Sequence, residues 1–378
     1  CGSLDSEDSA KGGVGYEDAS GGTSGGGNDT SEPPELNFKY LTPRASRDYV
    51  FVPNETLDTV SKIDADSLAI ATIPVGDRPT RIEAIDGQNN AVVLNQNSDE
   101  VSLIRADALI TSTGTADEEV RIKIDTRMNA LALSPDGVWA LAYFSFANQE
   151  EGEPDGNLQT ISLIRTTAGD ETVFHLSVGF QIRAIQFLNA PLPPDATPDT
   201  PVQTTHVYII TDTGLSIIDL TNITGDAILP VIPVTTQPLL DPLDREVYVL
   251  PSGTFAISRD RVEAAVNLIR LSDGEIHTID LPMPATDLDL VPGEDTAIVT
   301  VRDADLVLEI PIAAAFDDPT AVVTVDAGPA VKGLASLDPS GRWLVLYSSF
   351  TDQITLIDRQ ALADSPSRRR ITKLPKLT

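Results

Sequence analysis

Arginines at repeated positions are the residues in this sequence whose type and spacing best suit ligand binding. The candidates are Arg78, Arg127, Arg81 and Arg183. The first two lie at matching places in a repeat, at the turn that enters the innermost strand. Guanidinium groups clustered on an acidic protein can hold a carboxylate, a sugar acid or an acidic loop of a partner through paired hydrogen bonds. The alternative, which we favour, is that each arginine pairs with a neighbouring acid such as Asp77 or Asp125.

Histidines and aspartates give weaker signals for catalysis or metal binding. His175, His206 and His277 fall in three different repeat units, two on outer strands and one at the start of a second strand, so their imidazoles should not converge on copper or zinc. The sequence leaves a Ser-His-Asp triad open, but it has no Gly-x-Ser-x-Gly elbow and no glycine-rich loop that leads into a helix. Aspartates that could contribute to calcium sites are Asp64, Asp66, Asp212, Asp303 and Asp305, although turn formation is the favoured role. We therefore expect no metal, no cofactor and no catalytic residue.

The charge of the chain limits its partners. The formal net charge is −31, of which residues 1–35 contribute −7, from eight acids and one lysine, which leaves −24 for the rest. Such a charge repels phosphate, so nucleic acid is not expected as a partner. Near the C-terminal end the sign reverses in a basic patch formed by Arg368, Arg369, Arg370, Lys373 and Lys376. This patch could dock an acidic partner, but a solvated edge is the favoured interpretation.

Cys1 is the single cysteine, and a run rich in Gly, Ser, Asp and Glu follows it to residue 35. This start resembles a mature bacterial lipoprotein, whose first cysteine carries lipid, and an arbitrary truncation is the alternative. Gly2, rather than Asp, favours the outer membrane within that resemblance. Residues 1–35 bury too little to fold and are expected to form a flexible tether that spans about 30 Å. No apolar run approaches the ~18 residues of a membrane-spanning helix, and one cysteine allows no internal disulfide.

The rest of the chain, residues 36–378, shows repeated strands. Seven segments share a pattern close to apolar-x-apolar-Ile: 60–64, 101–105, 161–165, 215–219, 266–270, 307–310 and 354–358. Their starts lie 41 to 60 residues apart, near the ~40–50 residues of one propeller blade. The longest intervals contain inserts at 149–157 and 189–204, which are expected to be surface loops. Nearly continuous apolar runs precede most copies and indicate strands buried on both faces. Helical turns are expected only near 311–316 and 359–363.

The segments 49–54, 59–64 and 73–79 resemble, in order and spacing, the YVTN-type β-propeller repeat family, and the resemblance extends over about residues 48–373. It implies an all-β fold, a seven-bladed β-propeller with four-stranded antiparallel blades. Later repeats, such as the fifth, match poorly. Either 36–41 or 374–378 should supply the innermost strand of the first blade.

Two classes of function remain after these observations. The favoured one is a lipid-anchored, non-catalytic propeller that serves as a recognition or assembly platform in the bacterial outer envelope, as an accessory subunit of a larger membrane complex. Its partners would be other envelope or outer-membrane proteins, with the membrane reached through the N-terminal lipid. The alternative is a lactonase-like enzyme, which some relatives of this repeat resemble, or a propeller that binds a glycan or small molecule.

Overall fold

The computed structural model describes residues 38–84, 87–106, 119–193, 195, 197, 200–236, 245–326, 331–337, 340–348, 353–361 and 369–373. Cys1 and the predicted tether lie outside the described residues, as do Arg368 and Lys376 of the basic patch. Arg369, Arg370 and Lys373 lie on the last strand. No helix in the described part of the chain is long and apolar enough to cross a membrane.

The described residues form a seven-bladed β-propeller, as the repeats predicted. The first sheet contains β1 (Arg44–Ala45), β2 (Tyr49–Asn54), β3 (Thr59–Asp64) and β4 (Ile70–Pro74). The second contains β5 (Pro79–Ala84), β6 (Asn90–Asn95), β7 (Glu100–Arg105) and β8 (Glu119–Lys123). The third contains β9 (Ala130–Leu133), β10 (Trp139–Tyr143), β11 (Thr160–Arg165) and β12 (Thr172–Ser177).

The remaining four sheets follow in chain order. The fourth contains β13 (Ile182–Asn189), β14 (Thr204–Thr211) and β15 (Gly214–Asp219), followed by the two-residue β16 (Ala227–Ile228). The fifth contains β17 (Arg245–Val249), β18 (Phe255–Asp260), β19 (Ala265–Arg270) and β20 (Ile276–Asp280). The sixth contains β21 (Asp287–Leu290), β22 (Thr296–Val301), β23 (Leu306–Pro311) and β24 (Val323–Asp326). The seventh contains β25 (Val331–Leu337), β26 (Trp343–Ser348), β27 (Gln353–Asp358) and β28 (Arg369–Lys373).

Helical structure is sparse among the described residues, as expected of this fold. The helix α1 (Ile312–Asp317) lies almost where the sequence predicted a helical turn. Three-residue 3₁₀ turns occur at Phe146–Asn148, Arg302–Ala304 and Pro319–Ala321. The second expected helical turn, at 359–363, is a non-helical turn over its described residues.

The second strands of the second and fourth blades are buried on both faces because alternate side chains enter different interfaces. On β6, Ala91 and Val93 pack towards the first blade, whereas Val92 and Leu94 pack towards the third. Tyr208 and Ile210 of β14 likewise face the fifth blade, while its other apolar side chains face the third. Successive side chains of a strand point to opposite faces, so a strand buried on both faces needs apolar residues at successive positions. This explains the continuous apolar runs.

The described ends of the chain complete their own blades without exchanging strands. β1 is the first strand of the first sheet, and an isolated bridge joins Tyr40 to Asn54 just before it. The described end of the predicted segment 36–41 therefore already pairs with β2, where the Leu41 N–H also donates to the Pro53 carbonyl oxygen, and the pairing continues in β1. The other candidate, 374–378, lies outside the described residues. β28 is the last strand of the seventh sheet.

The fourth blade departs from the repeat. Its sheet contains three strands, and the short β16 pairs in parallel with β12 of the third blade instead of with β15. A few residues later the chain returns, and Ile232 forms an isolated antiparallel bridge with Leu215 of β15.

Candidate functional site

Arg78 and Arg127 occupy equivalent backbone positions, as their spacing predicted. Both have positive φ, 56° and 62°. The N–H of Arg78 donates to Asp58 Oδ1 at 2.8 Å, and the N–H of Arg127 donates to Asp99 Oδ1 at 2.9 Å. The two aspartates also have positive φ, in the turns that follow β2 and β6. This repeated hydrogen bond links a turn between strands to the start of the next blade.

The Arg78 guanidinium is fully occupied by carboxylates of its own chain. Its Nε donates to Glu55 Oε1 at 3.0 Å, its Nη2 donates to Glu150 Oε2 at 2.6 Å, and its Nη1 donates to Glu153. Lys39 Nζ lies 2.7 Å from Glu55 Oε2 and 3.1 Å from Glu150 Oε1. Burial opposes the charge of Arg78, but the hydrogen bonds to Glu153 and Glu55 outweigh it and raise its pKa.

Residues 149–157, called here the acidic insert, provide two of these carboxylates. Arg127 Nη1 donates to the carbonyl oxygen of Asp155 at 3.0 Å. Gln149 Nε2 donates to Asp155 Oδ1 at 2.9 Å, and Gln96 Nε2 donates to Glu153 Oε2 at 3.1 Å. Arg78 and Arg127 therefore hold an acidic loop of their own chain. Pairing within the chain was the favoured alternative, but the partners differ from the predicted Asp77 and Asp125.

Arg183 is also occupied within the chain. Its Nε and Nη2 both donate to Asp212, the Nη2 at 2.9 Å, in a paired arrangement. Because a bidentate pair uses the two nitrogens that best fit a carboxylate, Arg183 is a poor candidate for an external ligand.

Arg81, like Arg127 and unlike Arg78 and Arg183, donates to a backbone carbonyl rather than to a carboxylate. Its Nη1 donates to the carbonyl oxygen of Thr80 at 2.9 Å, and no carboxylate in the described part of the chain forms an ion pair with it. It lines a polar cavity of about 270 Å³ between the first strands of the first two blades. We call this the inner cavity; its lining residues are Leu41, Thr42, Arg44, Thr80, Arg81, Ile82 and Glu83.

The three histidines lie on separate blades, as predicted. His175 and His277 are on the outermost strands β12 and β20, and His206 is on the second strand β14. His175 Nδ1 lies 3.0 Å from Asp125 Oδ1. In the ranges that the structure describes, no group of three His, Cys, Asp or Glu side chains is arranged to hold a metal ion.

A second feature, which the sequence analysis did not single out, is the outer side of the fourth blade. After β15 the chain runs through residues 220–234, called here the crossing segment. Leu215 and Ile232 exchange two backbone hydrogen bonds, 2.9 Å and 2.8 Å, and continuing that antiparallel register would place Pro230 opposite Ile217. Proline has no N–H and cannot complete the ladder. The segment leaves β15 there, and Ala227 pairs with Leu176 of the third blade.

This departure leaves an open edge at Ile217. The N–H and C=O of Leu215 bond to Ile232, on the side of β15 away from β14. The backbone groups of alternate residues in an antiparallel strand point to the same side, so the N–H and C=O of Ile217 also point away from β14. Neither group has a hydrogen-bond partner among the described residues. The side chain of Ile217 lines a cleft on each side of this edge.

The two clefts are mainly apolar, and acids lie at their rims. The blade-five cleft, about 440 Å³, lies between Ile217, residues 230–233 and the turn 271–274. The blade-three cleft, about 260 Å³, lies between Leu176, residues 217–219 and residues 222–227. Ile228 beside them is 87% exposed. Hydrogen bonds from Thr221 and Asn222 hold the pKa of Asp219 below its ordinary value, so Asp219 is ionised at neutral pH.

No protein-family model matches the chain. No curated protein matches it either. Solved structures of similar fold include a hydrazine synthase from Kuenenia stuttgartiensis, with 15% identity and a TM-score of 0.39 over 83% of this chain and 93% of that one. Apo AztD from Citrobacter koseri has 12% identity and a TM-score of 0.40, over 84% and 83%. Streptogramin B lyase has 10% identity and a TM-score of 0.35, over 81% and 89%. At such values the likeness says nothing about activity or partner.

Proposed function

We propose that this chain is a non-catalytic β-propeller that recognises another protein through the open edge of its fourth blade. The observation that supports this most directly is the interrupted outer strand, which exposes the backbone N–H and C=O of Ile217 between two apolar clefts. An edge strand with unpaired groups accepts an added strand, whose main chain supplies affinity while its alternate side chains enter pockets.

The register of the edge defines what would bind there. A partner strand would pair one residue with Ile217 and insert its flanking side chains into the blade-three and blade-five clefts. Both clefts are mainly apolar, so the side chains that fit are aliphatic or aromatic.

The acidic side chains at the clefts restrict the kind of partner that fits. Asp219 and Asp226 line the blade-three cleft, and neither forms an ion pair within the described part of the chain. The whole chain carries a net charge of −31. An extended segment with apolar residues and at least one lysine or arginine therefore complements this edge, whereas an acidic segment is repelled.

The location proposed for this activity rests on the sequence. The pattern at Cys1 supports a lipid anchor in the bacterial outer envelope, with residues 1–35 as a tether, and the repeats support membership of the YVTN-type propellers. The chain would then act as an accessory subunit of an envelope complex. Cys1→Ser in the precursor should abolish incorporation of labelled fatty acid, and retained label would contradict the anchor.

Crosslinking from the edge tests the recognition. Ile228 and, as a matched control, Ile70 on the outermost strand of the first blade are each replaced by a photo-crosslinking amino acid in the full-length protein. Both isoleucines are exposed, at 87% and 68%. After irradiation of intact cells, we expect one defined protein crosslinked at residue 228 and not at residue 70.

Two substitutions of Ile217 then test the mechanism of binding. Ile217→Pro removes the outward N–H without breaking an internal ladder bond, so the crosslink at residue 228 should disappear. Ile217→Val keeps the N–H and an apolar side chain, so the crosslink should remain. Equal crosslinking at residues 228 and 70, crosslinking at neither, or a crosslink that survives Ile217→Pro would contradict the proposal.

A further inference from the structure

We propose that the inner cavity binds a short-chain carboxylate, with Arg81 as the group that holds its charge. This site lies on the first strands of the first two blades, apart from the open edge of the fourth blade, and does not depend on the function proposed above.

The availability of Arg81 is the first observation. Arg78 and Arg183 are bound by carboxylates of the chain, and Arg127 holds a backbone carbonyl of the acidic insert. Arg81 donates from Nη1 to a backbone carbonyl, while its Nε and Nη2 have no partner among the described residues. The Nε and Nη2 hydrogens form the fork that matches the two oxygens of a carboxylate.

A buried hydroxyl beside Arg81 is the second observation. Thr80 lines the inner cavity and is only 8% exposed, yet its Oγ1 has no hydrogen-bond partner in the described structure. An unsatisfied buried hydroxyl is costly, but this oxygen is enclosed and has no surface open to the cavity. Thr80 therefore shapes the wall beside Arg81, and Arg81 alone holds the charge of the ligand.

An irregularity of the backbone places Arg81 at the cavity. In the pairing of β5 with β6, Pro79 faces Asn95 and Arg81 faces Leu94, so Thr80 is an extra residue in a β-bulge. A bulge breaks the strict alternation of side chains and redirects them, often at a binding site.

The remaining lining residues set the charge and the size of the ligand. Arg44 Nη2 donates to Glu83 Oε1 at 3.1 Å and its Nε donates to the carbonyl oxygen of Ile82, so Arg44 neutralises the one acid of the cavity. Arg81 then leaves a single net positive charge. Leu41 provides apolar surface for a short carbon chain. A volume of about 270 Å³ fits a ligand of a few heavy atoms.

Calorimetric titration of the purified protein tests this assignment. The probes are acetate, butyrate, inorganic phosphate and the uncharged analogue butyramide. We expect saturable binding of butyrate at one site per chain, weaker binding of acetate because it buries less apolar surface, and none of butyramide. Arg81→Ala should weaken butyrate binding by about 10- to 100-fold, the range for a lost hydrogen bond to a charged group.

Three variants serve as further tests and controls. Thr80→Val keeps the shape of the side chain and should leave butyrate binding unchanged, because the enclosed hydroxyl does not reach the cavity. Arg81→Lys keeps the charge but loses the fork and should also weaken binding. Arg127→Ala changes an arginine outside the cavity and should leave the affinity unchanged.

The NMR signal of the Arg81 Nε–H group provides a readout that does not depend on affinity. It should shift on addition of butyrate and not of butyramide. Absence of saturable butyrate binding, equal binding by Arg81→Ala, or preferential binding of phosphate or butyramide would overturn the assignment.

Discussion

The acidic insert of the third blade and the crossing segment of the fourth both depart from the propeller repeat, but they end differently. The insert folds back, and its Glu150 and Glu153 meet the guanidinium of Arg78. The crossing segment divides its backbone pairing between two blades and leaves the groups of Ile217 unpaired. The acidic insert is held against the propeller because its carboxylates meet an arginine. The crossing segment leaves the edge of β15 unpaired because proline lacks the N–H that pairing requires.

The largest effect is expected from removing the cation that closes the acidic insert. Arg78→Ala should lower the free energy of unfolding by about 2–3 kcal/mol, below the ~3–5 kcal/mol for a fully buried pair because Glu150 is exposed. The loss arises because three carboxylates are then left facing one another. Urea denaturation measures this change, and hydrogen exchange should show faster exchange in the acidic insert.

Arg47→Ala provides the control for this substitution. Arg47 forms an exposed pair with Asp48, and exposed pairs contribute little to stability. A loss in Arg47→Ala as large as that in Arg78→Ala would show that the charge network does not close the insert.

The second prediction concerns the point where the crossing segment returns to β15. Gly214 has φ +149°, and a Cβ there would lie 2.3 Å from the carbonyl oxygen of Ile232. Gly214→Ala should therefore destabilise the protein by about 1–3 kcal/mol and break the bridge between Leu215 and Ile232. Urea denaturation and the exchange rate of the Ile232 amide test this.

Gly225→Ala is the matched control in the same segment. A Cβ there meets nothing within 4 Å, and its φ is not positive. The stability of the Gly225→Ala protein should be unchanged or slightly raised. If Gly214→Ala and Gly225→Ala behave alike, the bridge does not hold the crossing segment.

The third prediction is that acid opens the acidic insert. Burial favours the neutral form of Glu55 and of Glu153, but hydrogen bonds from Lys39 and Arg78 to Glu55, and from Arg78 and Gln96 to Glu153, lower both pKa values below the ordinary 4.5. The stabilisation is therefore complete above pH 4.5 and is lost as the pH falls through the lower folded-state values.

Measurement of the unfolding free energy between about pH 3 and pH 7 tests this sign. The double variant Glu55→Gln/Glu153→Gln should be less stable than the unmodified protein at neutral pH, and the difference should shrink in acid. A difference that grows as the pH falls would contradict the lowered pKa values.

The smallest change in stability is expected from repairing the open edge. Pro230→Ala restores an N–H opposite Ile217, so residues 228–232 can pair with β15 and slow the exchange of the Ile217 amide. The gain is offset by a more flexible unfolded chain, so the stability should change by less than about 1 kcal/mol. Pro233→Ala, outside that register position, is the control, and equal effects of the two substitutions would contradict the explanation.

Much of the fold could be predicted because it is encoded locally and repeatedly. A strand buried on both faces needs apolar residues in succession, and β6 and β14 show that pattern directly in sequence. The equivalence of Arg78 and Arg127 could also be predicted, because it depends on position within the repeat.

The partners of the arginines could not be predicted in the same way. Glu150 lies 72 residues from Arg78 in sequence, and Asp77 beside it was the wrong candidate. Asp77 and Arg78 lie in the bend before β5, whereas Glu150 belongs to an insert of the third blade and reaches Arg78 only through tertiary packing. The bulge at Thr80 and the free fork of Arg81 likewise depend on pairing with β6.

The sequence by itself determined the all-β architecture, the number of blades and the acidic character of the surface, because residue periodicity, repeat length and charge are properties of the chain. The tertiary structure decided which charges are neutralised and which backbone groups remain unpaired. The pairing of charges and the pairing of backbone groups both depend on contacts between distant segments. An arginine can bind an external ligand only if no carboxylate of the folded chain already pairs with it. The outer edge of the fourth blade is open because the register set by Leu215 and Ile232 would place Pro230, which has no N–H, opposite Ile217.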